Sequence, residues 1–173
     1  MSKPDPIVIA DYDPSWPTRF EEEREAIVAA LGEAMDGVVA IEHVGSTSVP
    51  GLAAKPIIDI MIGVRQVADG VPCITPIVQL GYECRGEFGI PGRLYFRKGE
   101  PRTHHIHMVA HEGEFWQRHL AFRDLLRARP DLVEEYARLK RELAAHYGGD
   151  RVGYTEAKTP FIQSALARAR RGA

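Results

Sequence analysis

The sequence predicts an α/β (α+β) fold: one domain over residues 1–173, with a sheet core followed by a helical C-terminal extension. The chain has 173 residues, 45% hydrophobic and 27% charged, a composition typical of a packed domain. Short runs with strand character, separated by Gly- and Pro-containing turns, occupy about residues 36–110. Over about residues 114–171 the apolar residues recur at helical spacing instead.

A helix, a strand and a polar loop open the predicted fold. Ser15 is a suitable N-cap for the helix, and Gly32 ends it. The β-rich run Val38–Val44 breaks at a polar loop over residues 45–51, which leads into a short helical piece over residues 52–55.

The central strand is predicted over residues 57–64. This run is almost wholly apolar, as expected of a strand that is covered on both faces, and Asp59 is its one carboxylate. A helix over about residues 69–80 follows. Three shorter strands come next, over residues 82–88, 93–98 and 103–110.

Three helices make up the predicted extension. The first carries Phe115 and Leu126 on one face, and the second begins after Pro130. The last begins near Thr155 or Thr159 and runs into an arginine-rich tail.

Composition and charge argue against several classes of protein. Every apolar run is interrupted before the roughly 18 residues that a membrane-spanning helix needs, and the N-terminus lacks the pattern of a secretion signal. We therefore expect a cytoplasmic protein without membrane association. The net charge of −2 argues against a nucleic-acid partner. The two cysteines fit neither a thiolate zinc site nor a disulfide framework.

The polar loop is the first candidate for chemistry. Gly45, Ser46, Thr47 and Ser48 follow a strand, where backbone N–H groups and hydroxyls suit phosphate oxygens. Lys55 can add a positive charge nearby. The alternative is a capped turn, in which the hydroxyls only satisfy backbone N–H groups.

Asp59 is the candidate catalytic carboxylate and metal ligand. It lies 14 residues beyond Gly45, which leaves room for the loop, one turn and a new strand that returns beside the loop. A carboxylate there can hold Mg²⁺ or Mn²⁺ while the loop binds the phosphates of a nucleotide. The alternative is an aspartate in a salt bridge, for example with Lys55.

Histidines supply the other candidate metal ligands. Along the predicted strand over residues 103–110, His105 and His107 point to one face, because side chains alternate. With Asp59 and His43 they would form a mixed nitrogen and oxygen site, of the kind that Zn²⁺ or Mn²⁺ accepts. The alternative is that these histidines only make hydrogen bonds in a half-buried strand.

The C-terminal helices add further residues. His119 shares an apolar stripe with Phe115, so we expect a packed core histidine rather than a ligand. The charged residues of these helices, Lys140 included, alternate in sign and are expected to face solvent. Arg123 and Lys158 are the two that can instead reach a phosphate.

Four segments of the sequence resemble the GrpB family. The longest is IEHVGSTSVPGLAAKPIID at residues 41–59. The others are residues 103–107, 119–124 and 150–158, and the likeness covers about residues 7–170. The resemblance implies a nucleotidyltransferase-like mixed β-sheet flanked by helices. It also implies relatives in which such a domain is fused to dephospho-coenzyme A kinase.

The resemblance also implies a site, with one departure. The wider nucleotidyltransferase superfamily carries a Gly-Ser loop and then Asp-x-Asp or Asp-x-Glu on the next strand. Gly45, Ser46 and Asp59 match, but Met61 stands at the second carboxylate position. A thioether cannot bridge two hard cations, which argues against ordinary transfer with two magnesium ions.

The leading hypothesis is a metal-dependent, nucleotidyltransferase-like protein that binds a nucleotide or another phosphorylated small molecule. Asp59 is its catalytic residue, and one divalent metal (Mg²⁺, Mn²⁺ or Zn²⁺) is held by Asp59, His105, His107 and His43. The phosphates are bound by Gly45, Ser46, Thr47, Ser48, Lys55, Arg123 and Lys158. The alternatives are a non-catalytic nucleotide- or coenzyme-binding or chaperone-like module, and a His-metal phosphoesterase. The oligomeric state is left open.

Overall fold

A computed structural model describes residues 6–172 and shows a five-stranded mixed sheet with helices on both faces. The strands are β1 (Val38–Val44), β2 (Ile58–Val64), β3 (Glu83–Cys84), β4 (Leu94–Lys98) and β5 (His104–Ala110). The helices are α1 (Trp16–Leu31), α2 (Ile74–Gln79), α3 (Glu114–Ala128), α4 (Pro130–Tyr147) and α5 (Arg151–Arg171). Shorter 3₁₀ segments lie at Gly32–Gly37, Ser46–Ser48 and Val67–Cys73.

The strand order β1-β2-β5-β4-β3 puts β2 and β5 side by side. These two strands run parallel, and the other neighbouring pairs are antiparallel. Asp59 lies opposite Val44 on one side and His105 on the other. Paired residues share a face, and successive residues of a strand alternate. One face of the sheet therefore carries Asp59, His105 and His107, and the opposite face carries His43.

The face that carries His43 is packed on α1 and α2 and forms the larger core. Helix α1 covers it with apolar residues that recur at helical spacing. The strands contribute a β-branched and aromatic surface, because such side chains pack well on a pleated sheet. The buried residues of this core include Trp16, Phe20, Ile27, Ile60, Ile62, Phe96 and Ile106.

The opposite face is covered by the C-terminal helices. Met61, with an exposed fraction of 0%, packs there with Val44, Val109 and Trp116. A neighbouring cluster joins α3 and α4 to the segment that follows the polar loop. Between these clusters a cavity remains above Asp59.

The predicted α/β fold with a helical C-terminal extension is confirmed. No helix in the described part of the chain is long and apolar enough to cross a membrane. The predicted helical piece over residues 52–55 is wrong. This segment is extended, and Ala54 exchanges two backbone hydrogen bonds of 2.9 Å with Ala10. The single turn forms earlier, at Ser46–Ser48.

Two other boundaries differ from the prediction. The strand predicted over residues 82–88 shortens to Glu83–Cys84, because the chain turns at Gly86, where φ is 61°. The last helix begins at Arg151 rather than near Thr155. Asp150 caps it by accepting a hydrogen bond of 3.0 Å from the Gly153 N–H.

Candidate functional site

A cavity of about 830 Å³ lies between the sheet and the helices α3, α4 and α5. This volume is in the range of small-molecule sites. Its lining carries six basic side chains, Lys55, Arg93, Arg118, Arg123, Lys140 and Lys158, and two carboxylates, Asp59 and Glu114. The excess of positive charge favours an anionic ligand.

Asp59 lies at the sheet side of the cavity, where the parallel pairing of β2 and β5 brings two histidines to it. Its Oδ1 is 3.4 Å from Nδ1 of His105 and 3.2 Å from Nε2 of His107. Burial raises the pKa of Asp59, but the hydrogen bonds from the two imidazoles outweigh burial and hold this pKa well below its usual range. The structure thus brings together three of the four predicted metal ligands.

The loop after β1 closes over Asp59 at Gly45. Gly45 has a φ of 72°, and a Cβ at this position would lie 2.7 Å from Oδ2 of Asp59. Glycine is therefore required both by the left-handed backbone and by the close approach. Gly45 and Ser46, two of the residues predicted to bind phosphate, both line the cavity.

The other two loop hydroxyls are used inside the loop. The Ser48 hydroxyl donates to the Gly45 carbonyl, and Oγ1 of Thr47 lies 3.3 Å from the Ile57 carbonyl oxygen. Both residues are buried. The prediction that Thr47 and Ser48 bind phosphate is therefore corrected: they match the capped-turn alternative and give the loop its shape.

His43 lies apart from the other predicted metal ligands. It is on the α1 face of the sheet, stacked on Phe20, with an exposed fraction of 6%. Its Nε2 is 2.9 Å from Oγ1 of Thr47. Burial lowers the pKa of His43 to about 4, so the ring is neutral. We correct its role from metal ligand to support of the loop.

The remaining three side chains do not fit a divalent metal site. No group of three or more His, Cys, Asp or Glu residues within residues 6–172 is placed to hold a metal ion. Both ring nitrogens of His107 are engaged, Nε2 by Asp59 and Nδ1 by the Arg93 guanidinium at 3.3 Å. Met61 is buried below the helices and offers no oxygen.

Three lysines surround two tyrosine rings on the opposite wall. The Lys55 and Lys158 ammonium groups lie 5.0 Å and 4.6 Å from the centre of the Tyr154 ring, and Lys140 Nζ lies 4.8 Å from that of Tyr136. Among residues 6–172 none of the three forms an ion pair with a carboxylate. We refer to Lys55, Lys140 and Lys158 as the lysine cluster.

Lys140 is the residue that sequence reasoning missed. Its exposed fraction is 2%, and its Nζ has no hydrogen-bond partner in the described part of the chain. Burial and then the charge of Lys158 lower its pKa to about 6, and burial lowers the pKa of Lys158 to about 8. Its spacing in the sequence could have indicated this burial. Lys140 follows the apolar Leu132 and Tyr136 at intervals of four, which places it on the buried side of α4.

Arg123 and His119 also lie at the cavity wall, each with contacts of its own. Arg123 lines the cavity, but its guanidinium is paired with Glu42 at 2.8 Å and donates to the His43 carbonyl at 3.1 Å. It therefore secures α3 to β1 before any ligand arrives. His119, predicted as a core residue, also lines the cavity. Its Nδ1 lies 2.8 Å from the Phe115 carbonyl, and burial lowers its pKa to about 4.

Comparison with known proteins gives consistent matches. A family model described as GrpB protein matches residues 6–168. The UPF0157 protein YqkA of Bacillus subtilis is 42% identical over 166 residues, which are 95% of this chain and 48% of YqkA. The chain thus spans about half the length of this relative. The crystal structure of conserved protein GrpB from Enterococcus faecalis has a TM-score of 0.84 at 39% identity, and the match covers 95% of this chain and 98% of that one.

One further protein sequence and one further solved structure are similar to this chain. A dephospho-CoA kinase of Mycolicibacterium paratuberculosis is 28% identical, over 95% of this chain and 46% of its own length. The structure of Cid1 in complex with its short product ApU has a TM-score of 0.51 at 11% identity, over 80% of this chain and 42% of that one. At that identity the likeness concerns the fold alone. The predicted nucleotidyltransferase-like fold is confirmed.

Proposed function

The chain belongs to the GrpB family, and from this premise we propose that it binds a nucleotide or another phosphorylated small molecule in the cavity above Asp59. The lysine cluster carries the proposal. A buried lysine amino group without a hydrogen-bond partner is unfavourable for folding, so its presence calls for an anion that pairs with it and favours its charged form. Phosphate oxygens are strong partners for ammonium groups.

The loop supports the same ligand class from the other side of the cavity. Gly45 and Ser46 line the cavity beside Asp59, where backbone N–H groups can donate to phosphate oxygens. The name of one relative points the same way, since a dephospho-CoA kinase handles a phosphorylated nucleotide derivative. We therefore include coenzyme A and dephospho-coenzyme A among the probes.

The first experiment is a thermal-shift and calorimetric screen. The probes are the four ribonucleoside triphosphates, inorganic tripolyphosphate, coenzyme A and dephospho-coenzyme A, each with Mg²⁺, Mn²⁺, Zn²⁺ or EDTA. A ligand at about 100 times its dissociation constant stabilises the folded state by about 2.7 kcal/mol, or roughly 5–10 °C for a domain of this size. At least one probe should reach this shift.

The matched variants are Lys140→Met and Arg141→Met. Both replace one basic side chain of α4, but Arg141 is exposed and paired with Asp11 outside the cavity. Lys140→Met should weaken binding by about 10- to 100-fold, the worth of a charge-assisted hydrogen bond, and Arg141→Met should leave it unchanged. Absence of binding in every arm, or equal losses in both variants, contradicts the proposal.

Turnover decides between the enzymatic and the non-catalytic form of the function. Met61 is buried in the packing beneath Trp116 instead of supplying the second carboxylate, which favours a module that binds without reaction. Long incubation with the bound nucleotide, followed by chromatography, separates the forms. Unchanged nucleotide supports the binding module, pyrophosphate release indicates nucleotidyl transfer, and inorganic phosphate release indicates a phosphoesterase.

A further inference from the structure

We propose that the cavity recognises a polyphosphate without a divalent cation, with the lysine cluster supplying the positive charge that metal ions supply elsewhere and the Asp59 group unsuited to a metal. This inference rests on the proposed function and adds the ligand's class and ionic form. It is carried by the hydrogen bonds around His107 and by the lysine cluster.

The contact with Arg93 fixes the tautomer of His107. A guanidinium only donates hydrogen bonds, so NH1 of Arg93, 3.3 Å from Nδ1 of His107, needs a lone pair on that nitrogen. The proton of the neutral ring is then on Nε2, which donates it to Oδ1 of Asp59 at 3.2 Å. A metal-bound histidine shows the reverse pattern: one nitrogen binds the metal and the other donates to an acceptor.

Arg93 is held in place and cannot easily give up this contact. Its exposed fraction is 7%, and its NH2 donates to the backbone carbonyls of Glu87 and Phe88 at 3.3 Å and 3.1 Å. Its guanidinium also lies 4.7 Å from the centre of the Tyr95 ring. If His107 turned to the metal-binding tautomer, two donors would face each other across a buried contact.

One oxygen of Asp59 is also engaged. Oδ1 lies within 3.4 Å of a nitrogen of each imidazole, and a Cβ at Gly45 would lie 2.7 Å from Oδ2. A hard cation needs several oxygen ligands, but the neighbouring side chain on this face of β2 is Met61. The group therefore offers a hard cation too few free oxygen ligands.

The lysine cluster supplies the charge that a polyphosphate needs. One phosphate group carries at most about two negative charges at neutral pH, so three lysines that are charged when an anion is bound match a diphosphate or triphosphate better than a monophosphate. The three lysines come from the segment after the loop, from α4 and from α5. They can therefore contact successive phosphate groups from different sides.

Calorimetry with inorganic tripolyphosphate and with orthophosphate tests this directly. We expect tripolyphosphate to bind as tightly in EDTA as in Mg²⁺ or Mn²⁺, within about threefold, and about tenfold or more tightly than orthophosphate. Binding that appears only with a metal overturns this inference and leaves the proposed function standing. Equal affinity for the two anions overturns the polyphosphate class, and absence of any binding overturns both proposals.

Nitrogen NMR of the imidazole rings gives a second test that needs no ligand. Long-range ¹H–¹⁵N correlation distinguishes the two neutral tautomers, and His107→Gln assigns the signal. We expect His107 to carry its proton on Nε2 and to keep that state when Zn²⁺ or Mg²⁺ is added. A proton on Nδ1, or a shift of the His107 signals on addition of Zn²⁺ that is absent in Asp59→Asn, overturns the inference.

Discussion

At the scale of single residues, Lys140 is unfavourable for the folding of the free protein but favourable for the binding of an anion. A side chain with an exposed fraction of 2% and an unpaired ammonium group destabilises the free protein. The same side chain becomes favourable when an anion enters, because a phosphate both pairs with it and favours its charged form. A purely structural lysine would instead be satisfied by a carboxylate or a carbonyl.

Lys140→Met should therefore stabilise the free protein, and the gain should depend on pH. The pKa of Lys140 is lowered to about 6, so between pH 6 and its usual value of 10.5 the unfolded chain binds more protons than the folded one. The wild type thus gains stability from this residue as pH rises, by at most about 1.4 kcal/mol per pH unit, and the variant lacks that gain.

Urea unfolding of both proteins from pH about 6 to about 9 measures this difference. The advantage of Lys140→Met should be largest at the acid end and shrink as pH rises. Arg141→Met is the control, and its difference from wild type should stay constant with pH. A destabilised Lys140→Met at every pH would mean that the ammonium group has a structural partner.

The sequence predicted part of the site at this scale. His105 and His107 share a face because side chains alternate along one strand, and that periodicity is local. Asp59 joins them through the register between β2 and β5. The position of His43 on the other face depends on which residue pairs with Asp59, and this register is a non-local property. Two patterns disagree at Lys140. The alternating charges of α4 predict that its side chain faces solvent, whereas its spacing from the buried residues of the helix predicts burial, and the structure follows the spacing.

At the scale of elements, the loop after β1 is shaped by contacts that local patterns do not contain. The segment after it is extended rather than helical, because it pairs with Ala10, about 40 residues earlier in the chain. The central strand, in contrast, was predictable from its apolar run, and the C-terminal helices from their helical periodicity. The three hydroxyl residues of the loop also differ in position: Ser46 lines the cavity, whereas Thr47 and Ser48 do not.

Gly45→Ala and Gly51→Ala form a matched pair that isolates the contact between the loop and Asp59. Both glycines have positive φ, 72° and 81°, so each substitution carries a backbone strain of about 1 kcal/mol. At Gly51 nothing lies within 4 Å of the added Cβ, whereas at Gly45 it meets Oδ2 of Asp59 at 2.7 Å. Gly45→Ala should therefore destabilise the protein by about 1–3 kcal/mol more than Gly51→Ala.

Urea unfolding measures the difference in the free energy of unfolding between the two variants, and calorimetry measures their affinity for tripolyphosphate. Gly45→Ala should also weaken tripolyphosphate binding, because the loop must shift away from the carboxylate that it covers. Gly51→Ala should bind as the wild type does. Equal stability and equal binding in the two variants would show that the loop does not depend on its contact with Asp59.

At the scale of the whole molecule, the cavity joins parts of the chain that are far apart in sequence. Its walls run from Val44 to Ile162, and the lysine cluster alone spans Lys55 to Lys158. The core on the α1 face of the sheet is a separate cluster, of which Ala54 lines the cavity. A ligand that pairs with all three lysines must therefore tie the C-terminal helices to the segment after the loop, with little contact with the larger core.

Hydrogen exchange with and without tripolyphosphate tests this division. Amides that exchange by local opening should slow in the segment around Lys55 and in α4 and α5, because the ligand bridges them, while those of α1 and α2 should not change at short exchange times. The slowest amides should slow everywhere, since any ligand that binds only the folded state raises the free energy of global unfolding. In Lys140→Met the slowing of exchange by tripolyphosphate should be lost in α4 before it is lost in α5 or around Lys55. Protection confined to α1, or equal at short times throughout the chain, would place the ligand outside the cavity.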